Sequence, residues 1–172
     1  MQNSPLIVTA KMDADSFEFL NALRRENFPP ERNHLSAHIT LFHHLPGEHL
    51  DEIEDHLKIT ASRQYEFKLL FRGVKFIGRG TIVEIEAPPL VSLRNKLANH
   101  WSDWLTPQDK QKFAPHVTIQ NKVTPEEARS LYEKLNESWQ SRIGTAASLQ
   151  VWHYRNGPWQ LANEFDFYKI AE

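Results

Sequence analysis

The chain has 172 residues, 40% of them apolar, and a formal net charge of −2. That is enough for a real core, and it lacks the basic excess of proteins that coat duplex nucleic acid, so a small or terminal phosphate ligand is favoured over a long one. The absence of cysteine excludes disulfides and thiol catalysis. No apolar run approaches the roughly 20 residues of a membrane span, and the start, Met1-Gln2-Asn3-Ser4-Pro5, has neither region of a secretory signal. The expectation is therefore a cytoplasmic protein without membrane contact.

Leu6 to Ala10 reads as a short strand. Asp13 or Asp15 caps a helix over Ser16 to Arg25, with Phe17, Leu20 and Leu23 inward, and Phe28-Pro29-Pro30 ends it. Ala37 to His43 alternates as a half-buried strand. After the Pro46-Gly47 turn, Glu48 to Lys58 carries Leu50, Ile53 and Leu57 on one helical face. Tyr65 to Phe71 is a strand that Val74 to Ile77 extends past a bend at Gly73. Gly78-Arg79-Gly80 turns into a strand over Thr81 to Glu86.

The order then repeats. Pro88-Pro89 leads into a helix over Leu90 to Trp104, with Leu90, Leu93, Leu97 and Trp101 spaced for burial. Thr106 to Lys112 is a polar loop, and His116 to Val123 a strand. Thr124-Pro125-Glu126-Glu127 is a capping box with proline at the first helical position, opening a helix to Trp139. Strands over Ala146 to Tyr154 and Trp159 to Tyr168 flank Asn156-Gly157, a hairpin signal. Each half thus reads β-α-β-α-β. The two repeats run over about 4–79 and 80–170, two lobes on a pseudo-twofold axis, with strand exchange between them a possibility left open.

One tetrapeptide recurs across the halves: His38-Ile39-Thr40-Leu41 and His116-Val117-Thr118-Ile119, the histidines 78 residues apart (116 minus 38). By strand alternation each places its imidazole and hydroxyl on one polar face and its apolar pair on the other. A single such strand is more often an ordinary half-exposed one. Two in matching contexts suit acid–base chemistry on a phosphate, because imidazole exchanges protons near neutrality and a hydroxyl donates to phosphate oxygens.

These motifs, with Phe113-Ala114-Pro115 before the second, the hairpin of Phe76 to Glu86, Val151-Trp152-His153-Tyr154 and Gly157-Pro158-Trp159, resemble the 2H phosphoesterase superfamily. That superfamily includes the 2′-5′ RNA ligase-like proteins, also called RNA 2′,3′-cyclic phosphodiesterases, and it is defined by two H-x-[ST]-x motifs. The resemblance covers nearly the whole chain. It implies an α+β fold, in which two lobes of antiparallel sheet with outer helices surround a central cleft. It also implies a metal-independent enzyme that opens 2′,3′-cyclic phosphates of RNA ends or small nucleotides. His38 and His116 would supply acid and base, and Thr40 and Thr118 would hold the phosphate. The alternatives are cleavage or ligation of 2′-5′ linkages and a non-catalytic RNA-end-binding module.

Other candidates follow from the strand pattern. Phe42 and Gln120 continue the cleft face at the next alternate positions, while His43 and Asn121 fall on the opposite face unless the strand bends. Arg79, in the glycine turn, is a candidate phosphate contact, and Tyr154 shares a face with Trp152 that can line the cleft. His34, His38, His43, His44, His49 and His56 invite a metal, but the i,i+4 pair His34 and His38 would need a helix where the pattern gives a strand. No metal, no cofactor and a monomeric state are the expectations.

Overall fold

The computed structural model describes residues 3–171. In chain order the elements are β1 (Leu6–Met12), α1 (Ala14–Asn27), β2 (Ile39–Leu45), α2 (Leu50–Ala61), β3 (Phe67–Phe76), β4 (Thr81–Glu86), α3 (Pro88–His100), β5 (His116–Gln120), α4 (Pro125–Ser138), β6 (Arg142–His153) and β7 (Gln160–Asp166). The fold is α+β, as the family resemblance implies. Among the described residues no helix is long and apolar enough to cross a membrane.

Local chemistry sets the helix ends. The Asp13 carboxylate accepts from the backbone N–H and the hydroxyl of Ser16, satisfying a donor of the first turn of α1. It also accepts from the Thr145 N–H at 2.7 Å, which pins that turn to β6. Gly144 allows this approach, since a Cβ there would meet Ser16 and Asp13. The capping box of Thr124 and Glu127 opens α4 as expected. Beyond β5, Lys122 takes a left-handed φ of 62° and ends the strand at Gln120, short of the Val123 that alternation suggests. The helix after Gly47 starts later than predicted, because a single 3-10 turn over Gly47–His49 precedes α2.

All strands pair antiparallel in one sheet, ordered β2-β1-β6-β3-β4-β5, with β7 also on β6. The long β6 is the fork. Its residues 146–153 pair with β1, residues 142–146 with β3, and residues 148–153 with β7. One lobe is therefore β2-β1-β6-β7 and the other β6-β3-β4-β5. The sheet curls until its two end strands, β2 and β5, come into contact. These are the strands that carry the two motifs.

The helices cross over. α1, from the first half of the chain, packs on β5, while α2 packs on β6 and β7 and α4 on β3 and β4. α3, from the second half, reaches β2: Arg94 donates to the Leu41 carbonyl and Trp101 sets its edge against Phe42. Beneath them lies one continuous core that includes Leu6, Val8, Leu20, Ile39, Leu41, Leu57, Val83, Leu97, Val117 and Leu149. The buried stripe of α1 is Ser16, Leu20 and Arg24. Phe17, predicted inward, is 37% exposed instead.

Candidate active site

The two motif strands are built alike. The ladder between β1 and β2 pairs Thr9 with Thr40 but Val8 with Phe42, so Leu41 is an extra residue. The ladder between β4 and β5 pairs Ile82 with Thr118 but Thr81 with Gln120, so Ile119 is an extra residue. Each strand therefore bulges at the fourth motif position, and a bulge turns the residues after it onto the other face.

That geometry overturns two expectations. Phe42 is fully buried, edge-on to Trp101 at 5.0 Å between ring centroids and beneath the Arg94 guanidinium. It is a core residue and does not line the cleft. Gln120 is 6% exposed, and its Oε1 has no hydrogen-bond partner among the described residues. Conversely, His43, assigned by plain alternation to the far face, lines the same chamber as Thr40 and His116.

Bulges leave ladder carbonyls unpaired, and two buried arginines answer them. Arg24 of α1 donates to the Thr118 carbonyl at 2.9 Å and to Asn33. Arg94 of α3 donates to the Leu41 carbonyl at 3.1 Å and to the Asp109 carbonyl at 2.6 Å. A buried carbonyl without a donor costs about 1–3 kcal/mol, so these contacts hold the bulged shape of both motifs. Burial pushes Arg24 down to about 10, which leaves it charged at neutral pH. Sequence reasoning missed both arginines. The available signal was a charged residue inside an apolar stripe, at Leu20-x-x-x-Arg24 and Leu93-Arg94.

His38 and His116 are held in the same way. Nδ1 of His38 donates to the Ser36 carbonyl at 2.7 Å, and Nδ1 of His116 to the Ala114 carbonyl at 2.9 Å. A carbonyl only accepts, so each Nδ1 carries the proton, which leaves Nε2 as the nitrogen free to exchange one. The backbone before His38 is itself fixed, since Ala37 N–H donates to Asn21 of α1. Burial, including the Trp159 ring 4.7 Å from its centroid, pushes His38 down to about 4. The Ser36 carbonyl opposes that shift, and the charges of Arg24, His116 and His43 add to it. His38 is therefore neutral at physiological pH. Thr40 and Thr118 stand half-buried two residues on from the histidines.

Two chambers flank these groups. One, of about 500 Å³, adjoins His38 and has mostly apolar walls, among them Met12, Phe17, Leu35, Trp152 and Trp159. The other, of about 340 Å³, adjoins His116 and is polar, with Thr40, His43, Lys75, Gln108 and Lys112 in its wall. Both volumes fall in the range of small-ligand sites, roughly 300–1,000 Å³. Tyr154 is exposed, and Trp152 and Trp159 form the aromatic wall in its place. Arg79 donates to the Val123 carbonyl in the loop after β5 and lines neither chamber.

The remaining histidines disperse. His49 stacks on Trp104 at 4.4 Å, and His56 accepts from the Trp101 indole. Among the described residues no three His, Asp or Glu side chains gather as a metal-ligating group.

A family model described as the 2′-5′ RNA ligase superfamily matches residues 12–158. No curated protein matches the sequence. Among solved structures, the fold is similar to that of TT0787 of Thermus thermophilus, with a TM-score of 0.70 at 14% identity over 97% of this chain and 100% of that one. It is also similar to E. coli LigT complexed with 3′-AMP, with a TM-score of 0.61 at 19% identity over 95% of this chain and 98% of that one. The LigT complex with NADP+ gives 0.60 at 18% identity over 98% and 99%.

Proposed function

Because the chain belongs to the 2′-5′ RNA ligase superfamily, we propose that it is a metal-independent phosphoesterase that opens 2′,3′-cyclic phosphates of RNA ends or nucleotides. The observation that carries this reading is the matched pair of Nδ1–H to carbonyl bonds, which present two Nε2 atoms from facing strands. In-line displacement at phosphorus needs a base on the entering oxygen and an acid on the leaving one. His38, held neutral, takes the proton of the attacking water. The new oxygen–phosphorus bond forms as the opposite ester bond breaks, and His116 gives its proton to the departing ribose oxygen. Thr40 and Thr118 donate to the non-bridging oxygens, where charge grows in the transition state. The binding of 3′-AMP by E. coli LigT supports a nucleotide-sized ligand, and residues 4–79 and 80–170 are read as two copies of one half-domain whose strands β3 and β6 are exchanged between the lobes around it.

The test is a panel of 2′,3′-cyclic nucleotides, cyclic-phosphate-ended oligonucleotides and 2′-5′ dinucleotides, followed by phosphorus NMR. The expected result is turnover of the cyclic esters to one dominant isomer, the 2′-phosphate, by expulsion of O3′. His38→Ala and His116→Ala each lower it by roughly 10² to 10⁴, the usual share of one positioned acid or base. Near-wild-type turnover in either folded variant refutes the two-histidine mechanism. Turnover confined to 2′-5′ dinucleotides would transfer the assignment to that linkage, and binding without turnover would make the protein an RNA-end reader.

A further inference from the structure

The polar chamber holds an imidazole that the proton transfers do not use. His43 reaches it because the Leu41 bulge turns the end of β2. Its Nδ1 bonds Asp109 Oδ1 at 3.0 Å. The same carboxylate accepts from the backbone N–H of His43 at 2.9 and 3.0 Å and from that of His44 at 3.1 Å. Asp109 is 1% exposed, whereas the His43 side chain is 42% exposed. Burial alone would raise the Asp109 carboxyl, but the bonds from His43 and His44 outweigh it and hold it below the usual carboxylate range. An ionised carboxylate only accepts, so Nδ1 of His43 is its donor and Nε2 is the nitrogen left for a ligand. The buried anion also compensates the charge the ring carries when it meets an anion through Nε2–H.

The surroundings match an anionic guest. Lys75 and Lys112 share the wall and, among the described residues, neither is in an ion pair. Glu84, also in the wall, is engaged by Arg72 at 3.4 Å. The counterpart of His43 is Asn121, just past the end of β5, whose Oδ1 is taken by the N–H of Lys122. The cleft is therefore asymmetric, although its two reacting histidines are alike: apolar beside His38, cationic beside His116.

We propose that His43, fixed by Asp109 and flanked by Lys112 and Lys75, is a second anion subsite that takes the phosphate next to the reacting one. The protein then prefers a terminal nucleotide that still carries its 5′-phosphate over a bare nucleoside cyclic phosphate. This rests on the cleft reading of the proposed function, and its test does not need turnover. Calorimetry compares adenosine 3′,5′-bisphosphate with adenosine 3′-monophosphate on the intact protein. One charge-assisted contact predicts a wild-type affinity ratio of roughly tenfold in favour of the bisphosphate. In His43→Gln the ratio falls to about one. Lys112→Gln, an exposed substitution that leaves the Asp109 anchor untouched, lowers it about threefold and decides the matter if the first variant does not fold. A wild-type ratio near one, or a ratio unchanged in the folded variants, overturns the subsite whether or not cyclic esters are hydrolysed. A ratio that behaves as expected in a protein that opens no cyclic ester keeps the subsite and removes the hydrolase.

Discussion

Acid is the perturbation that bears most directly on His38. The folded ring sits at about 4 because burial removes water from its charged form, and the charges of Arg24, His116 and His43 add to that shift. In the unfolded chain a histidine titrates near 6.5. Between these values the unfolded chain binds a proton that the folded protein refuses, so stability falls as pH drops from about 6.5 to about 4 and is insensitive to this group outside that window. A gap of about 2.5 units at ~1.36 kcal/mol each sets a ceiling of about 3 kcal/mol. The ring edge still meets solvent in the cleft, and screening reduces this to about 1–2 kcal/mol. Urea unfolding of wild type and His38→Asn across pH 4 to 7.5 isolates the term, because carboxylate contributions cancel in the difference. The variant should gain about 1–2 kcal/mol on wild type over that range. Parallel pH profiles, or an NMR titration of this ring between pH 6 and 7, would refute the burial argument and the choice of His38 as base.

Phe42→Ala should cost about 3–5 kcal/mol in urea unfolding, as removal of a buried phenyl ring usually does; a loss below ~1 kcal/mol would mean the ring is not in the core. Arg94→Met strands the carbonyls of Leu41 and Asp109 and should destabilise by at least about 2 kcal/mol, at about 1–3 per orphan, with no change in stability counting against the bulge-support argument. Thr124→Ala removes the N-cap of α4 and should lower stability by about 1 kcal/mol, read from the thermal midpoint. Turnover of a cyclic nucleotide should persist in chelator, since the two imidazoles carry both proton transfers; loss that a divalent ion restores would place a metal in the chemistry.

The four motif residues are legible in the sequence because strand alternation operates up to the bulge, and His38 to Leu41 and His116 to Ile119 lie within it. The next residues are not. A bulge leaves no compositional mark at Leu41 or Ile119, and a single extra residue is enough to exchange Phe42 and His43 between core and cleft. Gln120 fails for the same reason. Asp109 sits in a loop that local pattern reads only as polar, and its meaning comes from meeting His43 across 66 positions of chain. Arg24 and Arg94 escape notice because arginine is ordinarily a surface residue, and the carbonyls and side chains that hold them inside come together only in the folded chain. Arg79 fits a turn beside a phosphate site equally well, until its bond to Val123 gives it another task.

The crossing of α1 onto β5 and of α3 onto β2 has a consequence for folding. Each lobe borrows a helix from the other half of the chain, so neither half can assemble a covered sheet alone. Cutting the backbone at the Gly78 turn should give two fragments that are unstructured apart and regain structure only when mixed. The intact chain should correspondingly melt in one step, without a half-folded species in which one histidine has found its place before the other.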